Sequence, residues 1–153
     1  MANTQAMCTS FMGELLTATH NFGTAPVRAA STADTFKAAL YLTTATINAS
    51  TTAYSATGEV SGTGYTAGGV AVTNATAPAT SGTTAYWTPS ASIVYTNVTL
   101  SVAFDAVLIY NSTQSNKAVS VHTFGSQTVT AGTFTLTMPT NNTSTALLRL
   151  ATT

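Results

Sequence analysis

In Phe36-Lys37-Ala38-Ala39-Leu40-Tyr41-Leu42 the residues Phe36, Ala38, Leu40 and Leu42 share one side of an extended chain. Successive side chains of a strand point to opposite faces, so an apolar period of two predicts a strand. Upstream the period differs. Met7, Phe11, Leu15 and Leu16 recur at helical spacing, with Asn3 or Thr4 as N-cap, and predict one short amphipathic helix over 5–17. Residues 23–33 (GTAPVRAASTA) read as a loop, because Gly23 and Pro26 break either pattern. Downstream, alternation predicts strands near 70–75, 83–87, 94–103, 106–110, 118–124, 132–138 and 146–150. Turn signals separate them at Asn111-Ser112-Thr113-Gln114-Ser115-Asn116, at Thr130-Ala131-Gly132 and at Pro139-Thr140-Asn141-Asn142. The pattern predicts a mainly β fold: one domain over 1–153, with an antiparallel, jelly-roll-like sandwich across 34–150.

Composition bounds the surface of that fold. The 153 residues include 35 Thr and 14 Ser, about a third of the chain, but only 4 Lys+Arg and 4 Asp+Glu. Charged residues make up 5%, against about 25% in an ordinary soluble domain. The polar face must therefore be built from hydroxyls among β-branched and aromatic residues, a mixture that suits a pleated, half-buried surface. Zero net charge removes the attraction for phosphate backbones and anionic lipids, so neither nucleic acid nor a membrane is an expected partner. It also removes the self-repulsion that keeps copies apart. Lys and Glu usually protect sheet edges from pairing with a neighbour, and this chain has few of either, so at least one edge is expected to be filled by another copy.

Chemistry would have to come from Glu14, Asp34, Glu59, Asp105, His20, His122, Lys37, Lys117, Arg28, Arg149 and Cys8. Asp105 and Glu59 could form a glycosidase-like carboxylate pair. The plainer reading makes Asp105 a buried, hydrogen-bonded group and Glu59 a solvated one. His122 alternates with Val119, Val121 and Phe124 and is expected on the outer face of its strand, while His20 closes the helix. Two distant His and a lone Cys8 lack zinc-ligand spacing, so no metal, cofactor or intramolecular disulfide is expected. Gly62-Thr63-Gly64-Tyr65-Thr66-Ala67-Gly68-Gly69 superficially matches a phosphate-binding loop. That fingerprint needs a helix after it, however, and Val70-Ala71-Val72 reads as a strand, which leaves a glycine-rich β turn. Tyr41, Tyr54, Tyr65, Tyr86, Trp87, Tyr95 and Tyr110 could line a sugar-binding surface or pack a core.

Several words of the chain occur in a familiar order. They are Cys8-Thr9-Ser10-Phe11, Glu14-Leu15-Leu16, His20-Asn21-Phe22, Asp34-Thr35-Phe36-Lys37-Ala38-Ala39-Leu40-Tyr41, Glu59-Val60-Ser61 running into the glycine segment, Leu108-Ile109-Tyr110-Asn111-Ser112 and Asn116-Lys117-Ala118-Val119. Together they resemble a family of small structural proteins of tailed-bacteriophage virions, from about residue 8 to residue 150. The chain departs from that pattern between Phe22 and Asp34, where about ten extra residues intervene. The resemblance implies a non-enzymatic virion component without catalytic residues or cofactors. It would be made in the host cytoplasm and sit on the capsid surface or the tail.

The leading expectation is a multicopy capsid decoration or cement protein. Its partners would be the major capsid protein and copies of itself, as a dimer or trimer. Candidate interface residues are Phe11, Leu15, Tyr65, Trp87 and Tyr110. The alternative is a tail- or head-fibre-associated protein that binds a receptor or a host surface glycan. A small polysaccharide hydrolase is the third reading.

Overall fold

The computed structural model describes residues 3–8, 15, 19–20, 22, 33–73, 76, 78–82 and 84–151. Its strands are β1 (Ala6–Met7), β2 (Phe36–Leu42), β3 (Val70–Val72), β4 (Ala79–Ser81), β5 (Thr84–Trp87), β6 (Ile93–Asn111), β7 (Lys117–Leu136) and β8 (Leu148–Ala151). They form a five-stranded sheet in the order β1-β7-β6-β2-β3 and a three-stranded sheet in the order β4-β5-β8. All neighbours are antiparallel. The fold is mainly β, as the alternation predicts.

One hairpin dominates it. The strands expected at 94–103 and 106–110 are a single 19-residue β6, and those at 118–124 and 132–138 belong to a single 20-residue β7. The hairpin stays continuous because the local disturbances are absorbed as bulges. Asn97 (φ 54°) and Ala131 (φ 45°) take left-handed backbone inside their strands, and register shifts fall beside each of them. A bulge adds a residue to one strand, bends it and increases twist without ending the pairing. Thr130-Ala131-Gly132, expected as a turn, is such a bulge. The turn at 112–116 does close the hairpin, with Ser115 and Asn116 both at positive φ.

The N-terminal helix needs correction at its start. Ala6 and Met7 pair with Val121 and Ser120 as an edge strand, and the Cys8 N–H donates to the Val119 carbonyl at 3.2 Å. A sheet edge offers a row of backbone partners, and here it outweighs helical spacing carried by only a few apolar positions. Apart from Leu15, residues 9–17 lie outside the described residues, and so does the expected loop at 23–33 apart from Ala33.

The core gathers where the central strands overlap. Phe36, Leu40, Tyr41, Tyr95, Phe104 and Leu108 are all buried. Strand β2 is covered on both faces rather than one, with Ala39 and Tyr41 as buried as Ala38 and Leu40. Phe104 meets Phe124 and Phe134 edge-on, with ring centroids 5.9 and 5.0 Å away, a favoured aromatic geometry. Phe22 stacks on Phe36 at 4.7 Å and lies 4.8 Å from Trp87, so aromatic packing links β5 of the small sheet to β2 of the large one.

Candidate functional site

The densest polar arrangement surrounds Glu59. Its segment lies against β2: the Leu42 N–H donates to the Gly58 carbonyl at 2.9 Å and the Val60 N–H to the Leu40 carbonyl at 3.0 Å. Further on, the Thr99 N–H of β6 donates to the Thr63 carbonyl at 2.9 Å. Glycine makes this approach sterically feasible. A Cβ at Gly62 would run into the Thr99 carbonyl, and one at Gly69, where φ is 73°, into the Ala38 carbonyl. Gly62, Gly64 and Gly69 therefore stand where two backbones touch.

Within that arrangement the Glu59 carboxylate accepts three hydrogen bonds. Tyr54 and Tyr65 each donate a phenol at 2.7 Å, and the Gly68 N–H donates at 2.8 Å. Tyr65 also accepts from the Leu40 N–H at 3.1 Å, and Tyr110 donates to the Gly68 carbonyl at 2.7 Å. Tyr95 reaches the Ala38 carbonyl at 2.9 Å. Burial, followed by the Glu59 carboxylate, pushes the Tyr65 phenol well above its ordinary value. Burial likewise pushes Tyr41 up to about 12 and raises Tyr95. Phenols held this way stay protonated and act as donors, so the cluster clamps the glycine segment onto the sheet. Glu59 is thus not the solvated group expected: three donors hold it.

The remaining carboxylates are also tied to the fold. Asp105 accepts from Asn3 Nδ2 at 2.6 Å, and the Asn3 side chain also accepts from the Ile47 N–H at 3.2 Å. Asp34, which is buried, accepts from Asn111 Nδ2 at 2.8 Å and from Gln114 Nε2 at 3.2 Å. Asn111 Nδ2 lies 3.0 Å from His20 Nδ1, and Asn111 Oδ1 accepts from the Thr113 and Gln114 N–H groups. This network fastens the hairpin turn to the start of β2. Glu59 and Asp105 each have a separate donor set.

His122 departs from its expected outward position. Burial pushes its imidazole down to about 4, and its Nε2 is 2.9 Å from Ser120 Oγ. The face of β7 that carries it is covered, and it lines a cleft of about 360 Å³ with Gln5, Met7, Thr145 and Arg149. A second, mostly apolar cleft of about 100 Å³ is lined by Met7, Leu15, Phe22, Trp87, Leu148 and Leu150 among others. Among the described residues no three His, Cys, Asp or Glu gather as a metal site would require.

The candidate interface residues separate. Tyr65 and Tyr110 meet at the Glu59 cluster, Tyr110 being 2% exposed. Trp87, also 2% exposed, packs on Phe22 and donates its indole N–H to the Thr76 carbonyl at 2.8 Å. Leu15 is half-buried, and Phe11 lies outside the described residues. Trp87 and Tyr110 are core residues in this chain. The roles of Asn3 and Asn111 were not visible in the sequence; the nearest signal was that Tyr54 and Tyr65 flank Glu59. No family model, curated protein or solved structure matches the chain.

Proposed function

We propose that this chain is a non-enzymatic structural protein of a tailed-bacteriophage virion, a multicopy decoration or cement protein that stabilises the head shell. Its surface carries the reading: residues 93–104 and 123–138 hold no Asp, Glu, Lys or Arg, while Val94 and Val102 are exposed among Thr and Ser. A surface of this kind binds by shape and apolar burial. At roughly 25 cal/mol per Å² of apolar area, a contact of modest size gives a few kcal/mol before association costs, and repetition over a shell multiplies it. The carboxylates among the described residues, Glu59, Asp34 and Asp105, are engaged in hydrogen bonds within the fold. The antiparallel strands in two sheets among the described residues are compatible with the jelly-roll-like sandwich that belongs to this reading. A glycan-binding tip would present aromatic rings to solvent, whereas Tyr41, Tyr95, Tyr110 and Trp87 are buried.

Quantitative mass spectrometry of purified particles tests the proposal. Many copies per particle, in fixed ratio to the major capsid protein, is the expected result. Absence from finished particles overturns it, and a handful of copies per particle moves the protein to the tail.

A further inference from the structure

The outer side of β7 is taken near the turn by Thr52 and Ala53, at Ala118 and Lys117, and is open farther along among the described residues. β1 occupies it only at Ser120 and Val121, with Cys8 extending the contact to Val119. Among the described residues, no backbone group takes that side between residues 123 and 136. β6, on the other side of the same ribbon, is met on its free edge by the glycine segment, Thr63 bridging to Thr99.

The last part of β7 and the two residues after it, Gly132-Thr133-Phe134-Thr135-Leu136-Thr137-Met138, are built like a regular strand. Pairing with β6 keeps one register through Tyr95↔Phe134, Val94↔Thr135 and Ile93↔Leu136. Phe134, Leu136 and Met138 pack inward against the core, and Thr133, Thr135 and Thr137 are exposed. The Met138 N–H turns to Ser92 Oγ, on the β6 side, at 3.5 Å. Backbone groups of a strand alternate in direction, so those of Thr133, Thr135 and Thr137 point away from β6, into the vacancy. The stretch ends at the Ala131 bulge on one side and at Pro139 on the other. Seven residues is an ordinary strand length.

We propose that this slot is filled by the same slot of a second copy, antiparallel, with the two-fold axis at Thr135. The two β7 strands then join two five-stranded sheets into one. The occupant follows from the chemistry of the edge. It carries no Lys, Glu or Asp, so it meets itself without repulsion, and an incoming charged strand would find no counter-charge. Thr135 faces Thr135 of the second copy and Thr133 faces its Thr137, cross-strand hydroxyl pairs that stabilise antiparallel sheets. Val94, beside Thr135 and 40% exposed, lies next to the axis. A two-fold pairing consumes the vacancy in both copies, so this edge gives a closed dimer and no filament. The proposal rests on the assembly reading only for the supply of many copies, and it can fail separately.

The test is sedimentation of the full chain over a dilution series. Wild type is expected to dimerise, and Thr135→Lys, which sets two ammonium groups across the axis, to weaken the dimer at least ~100-fold. Thr135→Glu should do the same, and an equimolar mixture of the two variants should restore a mixed dimer. Thr57→Lys, in an exposed loop, should leave dimerisation unchanged. Independently of any variant, hydrogen exchange of wild-type Thr133, Thr135 and Thr137 amides should slow as concentration rises. A wild-type monomer throughout, an undisturbed Thr135→Lys dimer, a mixture that fails to pair, or concentration-independent exchange overturns the proposal. Incorporation of Thr135→Lys into particles reports on the assembly role separately.

Discussion

The two ends of the β6–β7 hairpin are made of similar residues and meet opposite fates. Near the turn, Phe104 to Asn111 pair with β2, and Ser120 and Val121 pair with β1, so both sides of the ribbon are walled. At the far end, among the described residues, the glycine segment meets β6 at Thr99, and no strand takes the outer side of β7. Hydrophobicity does not separate the ends, since Phe104 at one and Tyr95 at the other are both buried. Backbone partners do. A charge-poor β chain closes its edges where another of its own segments can come close enough, and it leaves an edge open where none does.

The comparison breaks first at its hinge. Phe104 touches rings from both ends of β7, and Phe104→Ala should cost about 4 kcal/mol through the cavity it leaves. Thermal unfolding would register this as a fall of roughly 8–16 °C in Tm, and a fall of one or two degrees would show that the ends are not packed as one. Acid gives the next largest effect. His122 pairs with Val107 just inside the walled end, and its imidazole is held at about 4. The unfolded chain takes up this proton below about 6.5, whereas the folded chain resists it until about 4. Stability should therefore be full above about 6.5 and lose on the order of 3 kcal/mol as pH falls toward 4, with most of that slope removed in His122→Gln. Equal acid slopes in the two proteins, measured by urea unfolding, would count against the buried imidazole.

Glu59→Ala sharpens the contrast by uncovering the other edge. It strands the Tyr65 phenol and the Gly68 N–H, at about 2 kcal/mol, and should speed amide exchange at Thr99 more than at Leu108. Uniform exchange at both sites would mean that the clamp does not govern the far end. The smallest effect belongs to Thr135→Lys, which should move the stability of the isolated chain by no more than about 0.5 kcal/mol while changing its association. A large loss of stability without dissociation would place Thr135 inside the fold.

Much of the strand pattern was legible. The period of two found β2, and the expected 83–87 and 146–150 differ from Thr84–Trp87 and Leu148–Ala151 by a few residues at most. The continuity of the hairpin was not legible, because a residue such as Ala131 carries no sign that it sits at positive φ within a strand instead of ending one. β1 was read as helix because its pairing with Val121 spans most of the chain, and local spacing cannot register a partner so distant. β4, with only Ala79, Thr80 and Ser81, offers no periodicity. The glycine segment was recognisable as a β turn, but its grip on Glu59 depends on the turn folding back so that Tyr65 meets Leu40 and Gly69 lies against Ala38. The carboxylate and its phenols could be read separately from the sequence, but their convergence could not.

The pairing of Ala6 with Val121 also sets an order of events during synthesis. β1 has no strand to pair with until Val121 has been made, and closing so long a loop is entropically costly beside zipping the local β6–β7 turn. The hairpin should therefore form before β1 pairs with it, so a nascent chain halted before β7 would leave Ala6 and Met7 open to proteases and chaperones.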